Sequence, residues 1–213
     1  MFIFEQIRTG GDRNFGYLLG DSDAGKAVLV DPSYDPARLV ERAKAQGLTV
    51  THILNTHGHA DHTNGNEQCR KLTGAPLVAH RNASRPDLPV DHGDQLAVGA
   101  LILKFLYTPG HADDHICILV DDVCLTGDTL FVGKVGGTAD PKSSEIEYQS
   151  LTEVLLRLPG ATTIWPGHDY GCRPSSTIAI EQRANPFLLC PNFEAFLKLK
   201  DNWADFKSQK GLL

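Results

Sequence analysis

The sequence predicts an α/β sandwich in which helices cover the outer faces of the sheets. Two observations favour this class. Short, apolar, β-branched runs follow one another at hairpin spacing, and single helical segments occur between and after them. The 213 residues are within the size range of one domain, so a single domain over residues 1–213 is expected.

The first half of the chain is predicted to contain four strands and two helices. The strands are apolar runs bounded by Gly, Asp and Asn, at residues 2–6, 15–19, 27–30 and 50–54. A helix is predicted over 36–46, because Asp35 can cap its start and Gly47 can end it. A second helix is predicted over 63–72.

The second half continues the same alternation of strands and helices. Its predicted strands lie at 101–106, 116–120, 123–125 and 162–165. Its predicted helices lie near 145–156, 176–183 and 193–200. No low-complexity stretch and no internal period indicates a repeat protein.

Composition argues against several kinds of partner. The 20 basic and 26 acidic residues give a formal net charge of −6, so the basic surface of a general nucleic-acid binder is missing. The longest uncharged apolar stretch, 96–103, is far shorter than the roughly 20 residues that span a bilayer. Because no basic segment precedes the first apolar residues, no signal peptide is indicated and a cytoplasmic location is expected.

Histidine is the unusual component of this sequence. The five cysteines are odd in number and form no C-x-x-C pair, which argues against a disulfide framework and a cysteine zinc ribbon. Of the nine histidines, four lie between His52 and His62. Functional chemistry is therefore expected in that segment.

The segment at 56–62 has the sequence T-H-G-H-A-D-H and directly follows a predicted strand. Imidazole nitrogens and carboxylate oxygens at this density suit zinc, iron or manganese. In an extended chain His57 and His59 point to the same side. A turn after them can bring Asp61 and His62 round to the same pocket. The segment therefore predicts a metal site.

Three later segments share one layout, in which a predicted strand ends, a glycine turns the chain and one potential ligand follows. They supply His111 after T-P-G, Asp128 after T-G and His168 after P-G. The ends of neighbouring strands share one edge of a sheet, where binding sites collect. Together with the first segment they offer more ligands than one four-coordinate zinc needs. The sequence therefore supports two catalytic metal ions bridged by a carboxylate.

The other histidines are expected to be structural. For His115, four residues after His111, a supporting contact to the metal site is the alternative.

These motifs resemble the metallo-β-lactamase superfamily. The matching segments are T-H-x-H-x-D-H at 56–62, T-P-G-H at 108–111, T-G-D-T at 126–129 and P-G-H-D-Y at 166–170. The resemblance implies a four-layer αββα sandwich with the metal site along one edge. The implied ligands are His57, His59 and His111 for the first ion, Asp61, His62 and His168 for the second, and Asp128 as the bridge.

Within the superfamily the chain is most similar to the glyoxalase II and persulfide dioxygenase branch, because His62 follows Asp61 and T-G-D-T-L-F occupies 126–131. Two departures concern the substrate. In residues 133–139, G-K-V-G-G-T-A, the basic residue and the tyrosine with which glyoxalase II enzymes hold glutathione are absent from their usual places. Gly137 stands where persulfide dioxygenases have an arginine. These residues do not separate the two branches.

The predicted activity is hydrolysis of a small thioester or ester, of the hydroxyacylglutathione hydrolase type, by a metal-bound hydroxide. Asp61 and Asp128 are the predicted catalytic residues, and Lys134 and Tyr170 are candidates for substrate contact. The expected cofactors are two divalent ions, zinc first and iron or manganese as alternatives. The expected partner is a small molecule such as a thiol conjugate, and neither nucleic acid nor membrane.

Two alternatives stay open. A persulfide dioxygenase would hold a single iron through His57, His111 and Asp128, leaving positions for oxygen and a thiolate. A non-catalytic module would bind a metal ion without turning over a substrate. The side chains suit zinc and iron alike, so the metal content of the purified protein would separate these hypotheses best.

Overall fold

Two six-stranded β-sheets lie face to face in the computed structural model of the protein, which describes residues 1–210. Residues 211–213 of the predicted domain lie outside the described part. In spatial order, the first sheet contains β1 (Phe2–Gly10), β2 (Asn14–Asp21), β3 (Lys26–Val30), β4 (Thr49–Leu54), β5 (Leu77–His80) and β6 (Leu88–Val90). The second sheet contains β14 (Ser176–Thr177), β13 (Thr163–Pro166), β10 (Val123–Gly127), β9 (Ile116–Val120), β8 (Leu101–Tyr107) and β7 (Gln95–Val98).

Strand direction decides where the functional loops meet. In the first sheet β1, β2 and β3 are antiparallel, and β3 to β6 are parallel. In the second sheet β7 to β10 are antiparallel, whereas β13 is parallel to β10. Strands β8, β10 and β13 therefore end at the same edge. A separate ribbon of β11 (Leu130–Phe131) and β12 (Lys134–Val135) follows β10.

Helices cover both outer faces, which confirms the predicted αββα order of layers. The helices are α1 (Pro36–Ala45), α2 (Ala60–Thr63), α3 (Asn66–Thr73), α4 (Pro141–Gln149), α5 (Ile178–Ala184), α6 (Phe193–Asp201) and α7 (Trp203–Lys210). Leu39 of α1 and Cys69 of α3 pack on the first sheet. Ile178 of α5 and Phe196 of α6 pack on the second. Among the described residues, none of the helices is long and apolar enough to cross a membrane.

The main core lies between the two sheets, and β8 shows how the sequence builds it. Leu101, Leu103 and Phe105 are buried, whereas Ile102 and Lys104 between them are exposed. This alternation is the period of two that a strand imposes on its side chains. Each large apolar side chain buried in this way stabilises the fold by about 1.5–3 kcal/mol.

The helix predicted over 63–72 is two helices, α2 and α3. Gly65 lies between them, and a Cβ at this position would lie 1.8 Å from the carbonyl oxygen of Pro32. The chain therefore passes against the loop after β3 at a distance that only glycine allows, and the helix is interrupted there.

Two other predicted helices have different starts. The helix predicted near 145–156 begins at Pro141, because the side chain of Asp140 accepts a hydrogen bond from the Ser143 amide. It then continues as a π turn and a 3-10 turn as far as Arg157. The helix predicted near 176–183 begins at Ile178, because β14 pairs with β13 before Thr177 caps α5.

Backbone hydrogen bonds join the two sheets at the edge where the polar loops meet. The Ile116 amide of β9 donates to the carbonyl oxygen of Thr56 at 2.8 Å. The Phe15 amide of β2 donates to the carbonyl oxygen of Gly167 at 2.8 Å. The loops after β4 and β13 are therefore fixed against strands of the opposite sheet, which brings distant parts of the chain into one site.

Candidate metal centre

All seven side chains predicted as metal ligands converge on this edge of the sandwich. They form overlapping groups in which the ligand atoms lie within 4.8 Å of one another. The loop and helix after β4 supply four of them, and the ends of β8, β10 and β13 supply one each. In chain order they are His57, His59, Asp61, His62, His111, Asp128 and His168.

The first ligand group consists of His57, His59 and His111. Nε2 of His57 and Nε2 of His111 each lie 3.0 Å from Nδ1 of His59. Three nitrogens at such separations can be bridged by one ion with bonds of about 2.0–2.1 Å. His57 is buried, whereas His59 is exposed.

The second ligand group consists of Asp61, His62 and His168. Nε2 of His168 lies 3.2 Å from Nε2 of His62 and 3.3 Å from Oδ2 of Asp61. Oδ2 of Asp61 is 3.7 Å from Nε2 of His62. Both histidines of this group are buried.

Asp128 lies between the two groups. Its Oδ2 is 3.2 Å from Nε2 of His168 and 3.6 Å from Nε2 of His111, and its Oδ1 is 3.4 Å from Nε2 of His62. Oδ1 is buried and accepts no hydrogen bond from the described residues. A buried carboxylate oxygen without a partner is costly unless a cation compensates it. The site therefore fits a metal ion on each side of Asp128.

The protonation states of His57, His111 and Asp128 suit metal binding. Burial lowers the pKa of His111 to about 4 and holds the pKa of His57 well below its ordinary value. Burial alone would raise the pKa of Asp128, but a hydrogen bond from His168 and the nearby charge of His62 hold it well below its ordinary value. The two imidazoles are thus neutral and the carboxylate ionised at neutral pH, which are the forms that coordinate metals.

Comparison with known proteins agrees with this geometry. The model of the metallo-beta-lactamase superfamily matches residues 9–168. The chain belongs to this superfamily. The superfamily binds metal ions, and the seven side chains described above lie within the matched segment.

Relatives within the superfamily are enzymes of two kinds. A hydroxyacylglutathione hydrolase of Polaromonas sp. is 38% identical over 177 residues, which are 79% of this chain and 67% of that protein. The mitochondrial persulfide dioxygenase ETHE1 of Mus musculus is 32% identical over 194 residues, 88% of this chain and 76% of that protein. The crystal structure of ETHE1 from Myxococcus xanthus superimposes with a TM-score of 0.89 and 38% identity, covering 94% of this chain and 91% of that one.

This chain is therefore an enzyme of the metallo-beta-lactamase superfamily. The hypothesis of a non-catalytic metal-binding module is set aside, because both kinds of relative, the hydroxyacylglutathione hydrolase and the persulfide dioxygenase, are named as enzymes.

Each ligand of the second group is held from behind by a residue that the sequence did not single out. Nδ1 of His62 lies 2.9 Å from Oδ2 of Asp31, and Nδ1 of His168 donates to the carbonyl oxygen of Asp12 at 2.9 Å. The side-chain amide of Asn14 donates to Oδ2 of Asp61 at 3.0 Å. Such contacts orient metal ligands and tune their basicity.

Asp31 also fixes the start of the motif. Its carboxylate accepts hydrogen bonds from the Thr56 amide at 2.9 Å, the Thr56 hydroxyl at 2.6 Å and the Asn55 side chain at 3.2 Å. Asp31 is 1% exposed and has a φ of +47°, a left-handed conformation that is uncommon for aspartate. The sequence contained a signal for Asp31, because this residue follows the apolar run V-L-V of β3 just as the predicted ligands follow their strands.

His115 supports the centre without being placed to bind a metal. Its Nε2 accepts a hydrogen bond from the Asp128 amide at 3.0 Å. Its Nδ1 lies 3.0 Å from the Thr108 hydroxyl and 3.1 Å from the Thr129 hydroxyl. The contact considered for His115 is therefore present, and it is made to the backbone of Asp128.

The two predicted substrate residues lie together beside the second group. The Tyr170 ring stacks on the His168 ring, with centres 4.7 Å apart and an angle of 7° between the planes. The ammonium of Lys134 is 4.9 Å from the centre of the Tyr170 ring. The Arg13 guanidinium, which sequence analysis missed, is 5.0 Å from the same centre. Tyr170 donates a hydrogen bond to Oδ2 of Asp12 at 2.8 Å.

Proposed function

We propose that this enzyme is a binuclear metal-dependent hydrolase of a small thioester or ester. The observation that carries the proposal is the second ligand group. Asp61, His62 and His168 face one another, and Asn14, Asp31 and Asp12 hold them from behind. A complete second group of this kind is what a hydrolase with two ions would use. The similarity to hydroxyacylglutathione hydrolases supports the same reaction class.

In this proposal the first group and the second group would each hold one divalent ion, with Asp128 between them. Zinc suits the set of histidine nitrogens and carboxylate oxygens, and iron and manganese suit it as well. Such ions, when bound, supply a Lewis acid for the substrate carbonyl and bring the pKa of water near neutrality.

The protein's own side chains then have distinct tasks. Asp61 is the partly exposed carboxylate of the centre, with 36% of its side chain accessible, so it can accept a hydrogen bond from a water molecule and orient it. Asp128, with a side chain 9% exposed, keeps both groups at a fixed separation. The ring of Tyr170 covers one face of His168 and limits the approach of solvent from that side.

A cluster of cations indicates that the substrate carries a negative charge. Burial lowers the pKa of Lys134, and the nearby charge of Lys207 lowers it further. Arg13 shares the same tyrosine ring, and its nearest carboxylate, Asp12, is 3.8 Å away. The charges of Lys134, Lys207 and Arg13 repel one another. An anionic group on the thiol half of a thioester substrate would reduce this repulsion, and the substrate carbonyl would then lie at the ligand groups.

The test is a panel of acyl thioesters offered to zinc-loaded protein, with free thiol release as the measurement. Cleavage that requires metal and is lost in Asp61→Asn supports the proposal. The matched control is Asp122→Asn, an exposed aspartate in the turn before β10, which should behave as wild type. A zinc-loaded protein that binds two ions and cleaves no member of the panel contradicts it.

A second candidate, persulfide dioxygenation, is favoured by the extent of the structural match. In the sequence comparisons 76% of the length of the mouse persulfide dioxygenase is covered, against 67% of the hydroxyacylglutathione hydrolase, and the structural superposition covers 91% of the Myxococcus xanthus ETHE1 chain. At Gly137, where the resemblance implies an arginine, a Cβ would meet no atom within 4 Å, and this chain lacks that cation. Oxygen uptake by iron-loaded protein with glutathione persulfide, and no thioester cleavage with either metal, would select this candidate.

A further inference from the structure

A buried ion pair lies behind the loop that follows Asp128. Glu147 of α4 has no exposed side-chain surface, and Lys200 of α6 is 11% exposed. The ammonium of Lys200 donates a hydrogen bond to Oε2 of Glu147. Lys200 lies beyond residues 9–168, the segment that the superfamily model matches.

A contribution to stability alone does not explain the Glu147–Lys200 pair. Burial raises the pKa of Glu147 to about 8, even though the charge of Lys200 opposes the rise. Oε1 of Glu147 accepts no hydrogen bond from the described residues. Desolvation of a buried pair commonly cancels its attraction, and apolar residues of similar volume often stabilise as much. Its position beside the centre therefore calls for a geometric explanation.

The backbone at 136–137 connects the pair to the metal centre. Lys200 donates a second hydrogen bond, to the carbonyl oxygen of Gly136, at 2.9 Å. The next carbonyl oxygen, that of Gly137, accepts a hydrogen bond from Nδ1 of His111 at 2.7 Å. This contact leaves Nε2 of His111 facing the first ligand group.

Gly136 is packed too closely for the loop to adjust freely. A Cβ at this position would lie 2.1 Å from the carbonyl oxygen of Asp128 and 2.8 Å from Oε1 of Glu147. One short stretch of backbone thus touches the bridging aspartate, the buried pair and the support of His111. A shift of this stretch would move the acceptor that sets the orientation of the His111 ring.

We propose that Lys200, paired with Glu147, is a positioning residue that fixes the backbone at 136–137 and thereby orients His111 toward the first ligand group. The inference rests on the metal-binding role proposed for His111. It assigns to helix α6 a part in shaping the centre, although α6 contributes no ligand.

The first experiment determines the tautomer of His111 in metal-free protein, so its result does not depend on the reaction. Histidine-labelled protein is examined by two-dimensional 1H-15N NMR, which reports which ring nitrogen is protonated. We expect wild type and Lys200→Arg to show His111 protonated at Nδ1. Lys200→Met should show a mixture of tautomers. Lys198→Met, an exposed lysine on the same helix, is the matched control and should match wild type.

The second experiment measures cobalt(II) affinity at each group separately. In a His168→Ala background only the first group keeps all its ligands, and in a His59→Ala background only the second does. Adding Lys200→Met should lower the cobalt(II) affinity of the first group about tenfold. This is the lower end of the effect expected for a residue that supports a metal ligand. The cobalt(II) affinity of the second group should change by less than about twofold. Lys200→Arg should restore most of the loss.

A variant that removes the pair without leaving a buried charge separates positioning from stability. Glu147→Gln with Lys200→Met should keep a melting temperature close to wild type and still show the weakened first group. If the melting temperature falls in Lys200→Met while the His111 tautomer and the cobalt affinity stay at wild-type values, the pair is structural only and the inference is wrong. If the background proteins bind no cobalt, the proposed metal centre fails, and the NMR result still decides the inference.

Discussion

The two ligand groups differ in how they are enclosed. His62 and His168 of the second group are 1% and 3% exposed, and all three of its ligands are held by residues of other segments of the chain. In the first group His59 is exposed, and the side chain of His111 is 13% exposed. The second group is thus buried at its two histidines and partly exposed at Asp61, whereas the first is more open toward solvent.

This difference indicates a division of labour. Ligands with locked rotamers hold an ion at a fixed place, because they lose little freedom when the ion binds. An open group leaves room for a substrate carbonyl to approach its ion. The cations around Tyr170 lie beside the second group, so the substrate would extend from the open group across the buried one.

The largest loss of activity is expected from a change at Asp128, which lies between the two groups. Asp128→Asn keeps the shape but removes the negative charge between two dications. Activity should fall by on the order of a thousandfold, because the charge stabilisation lost is several kcal/mol. Steady-state kinetics and metal content on the same samples are the measurement. Near-normal turnover in Asp128→Asn would exclude a bridging role.

The next largest effect should separate the two groups. His168→Ala should reduce the bound metal from about two ions per chain to about one, and His59→Ala should do the same while removing the other ion. Because the second group is buried, its ion should leave more slowly when a chelator is added. Metal analysis after timed chelation of the two variants measures this. Equal release rates would show that burial does not distinguish the groups.

A graded test concerns the residue behind His62. Asp31→Asn removes the charge that faces Nδ1 of His62, and it should weaken metal binding at the second group by about tenfold to a hundredfold. Thr56→Val removes one hydrogen bond to Asp31 and leaves its charge, so it should have a smaller effect. Cobalt titration of both variants checks the order. A weaker effect in Asp31→Asn than in Thr56→Val would contradict the assigned role.

The smallest expected effect concerns the substrate end. Lys134→Ala should raise the Michaelis constant for anionic thioesters about fivefold, as expected for loss of a partly exposed charge contact of ~1 kcal/mol. Turnover and the constant for neutral thioesters should change by less than about twofold. Lys142→Ala, an exposed lysine on α4, is the control. Equal losses with neutral and anionic substrates would remove Lys134 from the binding site.

Local sequence was sufficient to predict the positions of the seven candidate ligands and an α/β sandwich with helices outside the sheets, and the family resemblance implied the four-layer order. His111, Asp128 and His168 each follow the end of a strand, and the fold places them together because β8, β10 and β13 end at one edge. The motif at 56–62 needs only a strand followed by a turn. Apolar periodicity and turn residues carry this information within a few positions of the chain, so it can be recognised without the structure.

Tertiary structure alone decided how the ligands are supported. The support of His168 comes from a residue 156 positions away, that of His62 from one 31 positions away, and that of Asp61 from one 47 positions away. Lys200 reaches Gly136 across 64 positions. A hydrogen bond between such distant residues leaves no local pattern, because it depends on the packing of two sheets and the helices that cover them. The candidate ligands could therefore be predicted from local sequence, whereas the orientation of each side chain depends on the packing.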